Sequence, residues 1–305
     1  MVMKLPKVSI VILTKSNLEC LCNCINSIKF GTRYQQYEVI VADTGSTPKE
    51  KKALQEYLKN TFHVSKKCRL VQYNYYNFAK INNDIVRNHL DNETDLVLFC
   101  NDDIEMINDV ITYMIKAYTF HSHEVGTMGC RLTFEDGRIQ HAGQQLFTYK
   151  EENDMYLPLS IVHREYGLKK SGCNEYPEQV LSNTGAFCLV SRDLFLDIGG
   201  FNEKYVECFE DVEFNIECIK KGKKNLYLDY PKCVHHEAVT RKREADGQQA
   251  IRQNFDFRRT LHPFLNENLE DITPYVKVLD RPPVAPESQY AGWGVTEQYE
   301  FEPQV

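Results

Sequence analysis

Two carboxylates stand side by side at Asp102 and Asp103, behind the apolar run LVLFC at 96–100 and one asparagine. Adjacent acids repel, and a cation between them removes the cost. Hard oxygen donors suit Mg²⁺ or Mn²⁺, which take one or two carboxylates and complete their shell with substrate phosphates. The same residues also read as a solvated turn that caps the next helix. A second acid pair, Glu210-Asp211, precedes Val212, Ile216 and Ile219 at helical spacing. Helix N-termini stabilise acids through the dipole alone. The chemical alternative is a general base that takes the proton of an attacking hydroxyl. His235-His236 follows Pro231. A histidine there can complete a metal shell, contact a phosphate, or serve the structure only.

Smaller signals surround these acids. Thr14-Lys15 closes the run KVSIVILTK, and Asp43 closes EVIVAD. Asp43 can accept from a nucleobase N–H, and Lys15 or Lys80 can face a phosphate. Each is also ordinary turn or surface chemistry. No GxGxxG, GxxxxGK[ST] or GxSxG segment occurs. Dehydrogenase, P-loop and serine-hydrolase readings therefore lack support.

The elements that must position these groups alternate. Residues 7–14, 38–43, 69–73 and 95–100 read as strands, and 125–131 as another. Helical spacing fills 18–28, the stretch after Pro48, 79–90 and 107–121. Ser16 with Glu19 suggests a capping box. This alternation predicts a mostly parallel α/β sheet covered on both faces. Ligands then bind beyond the carboxyl ends of the strands, where Thr14-Lys15, the segment 43–46 and the segment 101–103 all fall. Residues 133–182 look irregular, and 144–182 is expected to be an acceptor loop. A strand over 183–191, a helix over 193–198, a helix over 210–221 and a last strand over 225–228 complete the domain. From about residue 266 the chain reads as a tail. The expected division is one domain over 1–265, with halves at about 1–130 and 131–265, and an extension over 266–305.

The 305 residues are 42% apolar and 26% charged, enough for a large core. A formal charge of −7 disfavours nucleic acid as a partner. The eleven cysteines contain no CxxC and many lie in apolar runs, so they read as reduced core thiols. No signal peptide and no membrane-spanning run is read. The expectation is a soluble cytoplasmic protein, at most peripheral on the inner face of a membrane.

In order along 8–241, the segments VSIVILTKSN, VADTGS, NFAKINN, LVLFCNDDIE, DGRIQHAG, NTGAFCLVSRDLFLDIGGFNEKY, FEDVEF and VHHEAVTR resemble those of family 2 of the inverting glycosyltransferases. The nearest subgroup builds bacterial O-antigen and related surface glycans. The resemblance implies the GT-A fold, a Rossmann-like sheet with a smaller acceptor-side region. It implies a nucleoside-diphosphate-sugar donor, UDP-linked by preference, with Mn²⁺ or Mg²⁺. The acceptor would be a saccharide, glycolipid or glycoprotein. Carried over, Asp43 and Thr14 line the base pocket, and Lys15, Lys80 and Asn83 belong to the donor side. Asp102 contacts ribose or donor sugar. Asp103 and His235 hold the metal, with His236 the lesser candidate. Asp211 is the base, and Thr184, Gly185, Glu203 and Glu210 face the acceptor. Three positions depart from the family pattern: Asn101 stands for the first Asp of a strict DXD, Thr44 for a second acid or Asn, and Glu213 for a second Asp. Two other classes fit parts of the chain: a sugar nucleotidyltransferase, and a non-catalytic glycan- or nucleotide-binding module. The first lacks a basic Gly-rich loop, and the second leaves Asp103 and Asp211 unexplained.

Overall fold

The computed structural model describes residues 5–62, 67–151, 154–236 and 248–279. Its first half alternates as expected: β1 (Val8–Thr14), α1 (Leu18–Gly31), β2 (Tyr37–Asp43), α2 (Pro48–Phe62), β3 (Cys68–Gln72), α3 (Phe78–Asn88) and β4 (Leu96–Asn101). These four strands are parallel, in the order β3-β2-β1-β4. Every residue of β1 and β2 is buried, the pattern of strands covered on both faces. Ile10 and Ile12 pack with Leu21, Ile25 and Ile28 of α1, whereas Val11 and Leu13 pack with Ile81 and Ile85 of α3. Side chains two apart thus point to one layer.

Local capping differs from the sequence expectation. Asn17, not Ser16, precedes α1, and no side chain caps that end. Ser16 adopts φ 53° and donates instead to Glu50. The capping box belongs to α2, where Glu50 accepts from the Thr47 N–H at 2.7 Å and the Glu50 N–H reaches the Thr47 hydroxyl at 3.4 Å.

The second half adds β5 (Ile104–Met106), α4 (Val110–His121), β6 (Val125–Thr133), β7 (Ile139–His141), β8 (Gln144–Glu151), β9 (Asp154–His163), β10 (Glu178–Val180) and β11 (Phe187–Ser191). Then follow α5 (Arg192–Ile198), α6 (Glu210–Lys220), β12 (Lys224–His235), α7 (Gln248–Asp256), a π-helical turn (Phe257–Leu261), α8 (His262–Glu267), α9 (Leu269–Ile272) and β13 (Val276–Leu279). β11 lies antiparallel between β4 and β6, and β12 runs parallel to β6. The central sheet is therefore mixed, with helices on its faces.

Two expectations are corrected. The stretch 144–182 is not structureless: β8 and β9 pair antiparallel, and β13 adds to β8 as a third strand. The pairing of β13 with β8 is non-local, so no short window displays it. The last strand does not stop at Leu228 but runs to His235, because a register shift between Leu228 and Lys232 accommodates Pro231. Residues 266–279 belong to the fold through α8, α9 and β13, with Leu265 and Ile272 fully buried. Residues 280–305 lie outside the described ones. No helix among the described residues is long and apolar enough to cross a membrane.

Candidate active site

The carboxyl ends of β2, β1 and β4 meet at one rim. Thr14 is in register with Asp43 on β2. Its hydroxyl donates to Asp102 Oδ2 at 2.6 Å, and its carbonyl accepts from the Thr44 N–H and hydroxyl. Asp43 is fully buried. Its Oδ1 accepts from the Ser46 N–H at 3.0 Å, while Oδ2 is buried without a hydrogen-bond partner. Lys51 Nζ stands 3.8 Å from Oδ2, beyond hydrogen-bond reach. A buried carboxylate oxygen left open in this way fits a donor brought by a ligand, such as a nucleobase N–H. An open cleft of about 550 Å³ adjoins Lys51 and is lined by Gln72, Tyr73 and Tyr75 among others. Neither Asp103 nor Asp211 lines it, so the carboxylates rather than that cleft mark the chemistry.

Asp102 is pushed up to about 7 by burial, with the charge of Asp103 adding to the effect and the Thr14 hydroxyl opposing it. Asp103 Oδ1 lies 3.2 Å from His235 Nε2. His235 Nδ1 lies 2.6 Å from Gln140 Oε1. A carbonyl oxygen only accepts, so Nδ1 carries the proton. In the neutral ring, Nε2 then turns a lone pair toward a carboxylate oxygen. Two acceptors at that separation need a proton or a cation between them. Two cis ligands on a small cation, with bonds of about 2.1 Å, stand about 3.0 Å apart. Asp103 and His235 therefore fit a divalent ion, and Gln140 orients the ligand as an outer partner does. Among the described residues no three His, Cys, Asp or Glu side chains gather as a complete metal cage. Mg²⁺ and Mn²⁺ do not require one when substrate phosphates fill the shell.

Asp211 sits in the first turn of α6. Its Oδ2 accepts from the Gly185 N–H and its Oδ1 from its neighbour's N–H at Val212, both at 2.8 Å. Burial raises its pKa, and these donors together with the Thr184 side chain pull it back. Gly185 sits in a tight place: a Cβ there would stand 3.3 Å from the Phe78 ring and in ordinary contact, 3.5 Å, with the Asp211 Cβ. One residue on, the Ala186 carbonyl accepts from the Asn101 N–H at 2.9 Å. A short backbone bridge thus joins Asp211 to the segment carrying Asp102 and Asp103. α6 itself is docked by buried amides. Asn215 donates to the Asp211 carbonyl and accepts from the Asn183 N–H and the Thr127 hydroxyl.

The other sequence candidates fall further out. Lys15 is exposed, and Lys80 is exposed with Nζ 5.3 Å over the Tyr75 ring. Asn83 is a clamp rather than an open ligand. Its amide donates to the Phe201 carbonyl and accepts from the Phe201 N–H, both at 2.8 Å, beside Gly200. Gly200 has φ 88°, and a Cβ would fall 2.3 Å from Asn83 Oδ1. Glu203 is exposed and accepts from Asn83 at 3.0 Å. Glu210 is buried at the start of α6. Glu213 is held by Asn202 and Tyr205. His236 lies between Glu105 and Glu135 at 3.0 and 2.6 Å, on a different set of acids from His235.

Sequence reading missed Lys51, Gln140 and Asp256. Gln140 sits in the segment DGRIQHAG, which carried a signal but no role. Asp256 is fully buried on α7 and accepts from the N–H groups of Val206, Glu207 and Cys208. It fixes the loop that enters α6, and nothing local in the sequence links it to that loop.

The chain is similar to several known proteins. The sequence profile of glycosyl transferase family 2 matches residues 9–199. The O-antigen biosynthesis protein RfbC of Myxococcus xanthus is 28% identical over 245 residues, covering 79% of this chain and 18% of that protein. An uncharacterized protein, y4gI, of Sinorhizobium fredii is 28% identical over 258 residues, covering 83% and 26%. The chain thus spans about a fifth to a quarter of the length of these curated relatives. Two solved structures share the fold. GalNAc-T7 with UDP, GalNAc and Mn²⁺ aligns with TM-score 0.57 at 12% identity, over 76% of this chain and 44% of that one. The mannosyltransferase PcManGT of Pyrobaculum calidifontis, in complex with GDP-Man and Mn²⁺, aligns with TM-score 0.57 at 16% identity, over 88% and 69%. The chain belongs to glycosyl transferase family 2 and is a glycosyltransferase of the GT-A fold.

Proposed function

We propose that the chain moves a sugar from a nucleoside-diphosphate sugar, UDP-linked by preference, to a hydroxyl of a saccharide, glycolipid or glycoprotein, with inversion. The observation that carries this reading is the bridge from Asp211 through Gly185 and Ala186 to Asn101, which sets a buried carboxylate beside the Asp102-Asp103 rim. Asp43 receives the base, with Thr14 lining the same pocket. Asp103 and His235 hold Mn²⁺ or Mg²⁺, which supplies charge neutralisation to the departing diphosphate when bound. Asp102, tied to Thr14, faces the ribose or donor sugar. Asp211 takes the acceptor proton as the hydroxyl attacks the anomeric carbon. Thr184, Gly185, Glu203 and Glu210 face the acceptor, and Lys15 and Lys80 lie toward the phosphates. Holding donor and acceptor in line can lower the barrier by at most about 7–11 kcal/mol.

The division into a donor half over 1–130 and an acceptor half over 131–265 follows from the same reading. So does a cytoplasmic setting with peripheral membrane contact, to which eleven free thiols are suited. A thermal-shift screen of UDP-, GDP- and dTDP-sugars with and without Mn²⁺ tests the donor assignment. Stabilisation by UDP-sugars that depends on Mn²⁺ is expected. Equal shifts without metal, or none from any nucleotide sugar, would remove the proposal.

A further inference from the structure

Beside Asp211 lies a pair of imidazoles that the proposed transfer does not use. His141 ends β7 and His163 ends β9. Their Nδ1 atoms are 2.9 Å apart, and the rings meet edge to face. The Thr184 N–H points at His141 Nε2 across 3.4 Å. On the far side, His163 Nε2 lies 3.4 Å from Gln144 Nε2, while Gln144 Oε1 is buried without a partner.

One proton assignment satisfies the whole row. A backbone N–H only donates, so His141 Nε2 accepts and its proton sits on Nδ1. That proton is donated to His163 Nδ1. His163 then carries its own proton on Nε2, and this N–H needs an acceptor. Turning the Gln144 amide by half a turn supplies Oε1, which also removes the orphaned oxygen. We propose that His141 and His163 form a neutral, tautomer-locked relay that positions the Thr184-Gly185 turn, and through the Gly185 N–H the carboxylate of Asp211.

The surroundings favour neutral rings. Burial holds His141 well below the usual histidine range, with the charges of His163, Arg164 and His235 acting in the same direction. Burial also lowers His163 to about 4, with His235 contributing. Arg164, next to His163, is itself paired with Glu178 at 2.7 Å. The Tyr227 ring stands edge-on to His141 from β12. A second proton on His141 would set Nε2–H against the Thr184 N–H and loosen the turn. His141 and His163 are thus positioning residues, and their effect on turnover rests on the reading of Asp211 as the base.

Two measurements on the full chain decide the matter. Long-range ¹⁵N–¹H NMR at pH 7 should assign Nδ1–H to His141 and Nε2–H to His163, both neutral. A charged ring, or Nε2–H on His141, overturns the relay whatever Asp211 does. The second is release of UDP from a mixture of UDP-hexoses and UDP-N-acetylhexosamines. His141→Phe keeps the bulk but removes the acceptor, and should lower kcat by up to about 100-fold. Its calorimetric Kd for UDP with Mn²⁺ should stay within about twofold, and His141→Gln, whose amide oxygen can accept from Thr184, should recover part of the rate. Unchanged kcat in His141→Phe, or loss of UDP binding alongside kcat, overturns the positioning role. Asp211→Asn run in parallel separates the two ideas. If it keeps full turnover, the base assignment fails and the NMR result alone judges the relay. If it is inactive while His141→Phe is not impaired, only the relay fails.

Discussion

Asp103 and Asp211 are the same side chain in two settings. Asp103 faces the Nε2 of His235 across 3.2 Å, in a ring whose other nitrogen is committed to Gln140. Asp211 accepts backbone N–H groups on both oxygens, from Gly185 and Val212. The first setting places a carboxylate oxygen against an imidazole nitrogen, a pair that a proton or a cation can bridge. The second supplies its own donors and holds a carboxylate in place while burial keeps it basic. On the proposed reading, identical acids take metal holding and proton transfer according to what surrounds them, and by nothing in the side chain itself.

Three changes would break or sharpen that contrast. Asp211→Asn should lower kcat by about 10²–10⁴-fold, the span of a general base, and leave UDP affinity with Mn²⁺ unchanged by calorimetry. Asp103→Ala should do the reverse at the binding step and abolish the Mn²⁺ stimulation of UDP binding. If both variants lose binding alike, the two settings do not differ in function. Gln140→Leu removes only the partner of His235. Its Mn²⁺ affinity should fall about 10–100-fold, read by metal titration of UDP binding, with the Asp211 step untouched.

The remaining changes concern stability. Asp256→Ala would leave the N–H donors of Val206, Glu207 and Cys208 without their carboxylate acceptor. A loss of about 2–4 kcal/mol in denaturant unfolding is expected. A change below about 0.5 kcal/mol would mean that the loop entering α6 holds itself. The last test reads pH. His163 is lowered to about 4 in the folded chain, against a usual value near 6.5. The unfolded chain therefore takes up the proton first as pH falls. The contribution of His163 to stability is fully present above about 6.5 and is lost as pH drops through about 4. Thermal unfolding of His163→Phe should fall less steeply than wild type across that window. Parallel slopes would show that His163 is not buried neutral.

Much of the donor half was legible in the residues. β1, β2 and β4 are continuous apolar runs because both faces are covered, and a chain read two residues at a time displays that. The polar clusters at their ends follow from the parallel topology. Where reading failed, the cause was distance or competition. Ser16 looked like a cap for α1, but Glu50 drew its hydroxyl away. The last strand read as ending at Leu228, but a bulge carried β12 past Pro231 to His235. In the small sheet, β8 and β9 are neighbours along the chain, and only β13 joins from far away without a local partner.

The sequence by itself determined the layers, the alternation of strands and helices in the first half, and which acids stood at strand and helix ends. Those follow from periodicity and from turn chemistry, which act over a few residues. Tertiary structure alone decided that His235 meets Asp103, that Gln140 sets its tautomer, and that Gly185 holds Asp211. Each of these depends on hydrogen bonds a few ångströms long between strands and helices distant in sequence. Such contacts are fixed by how the layers pack, which no single stretch of residues carries.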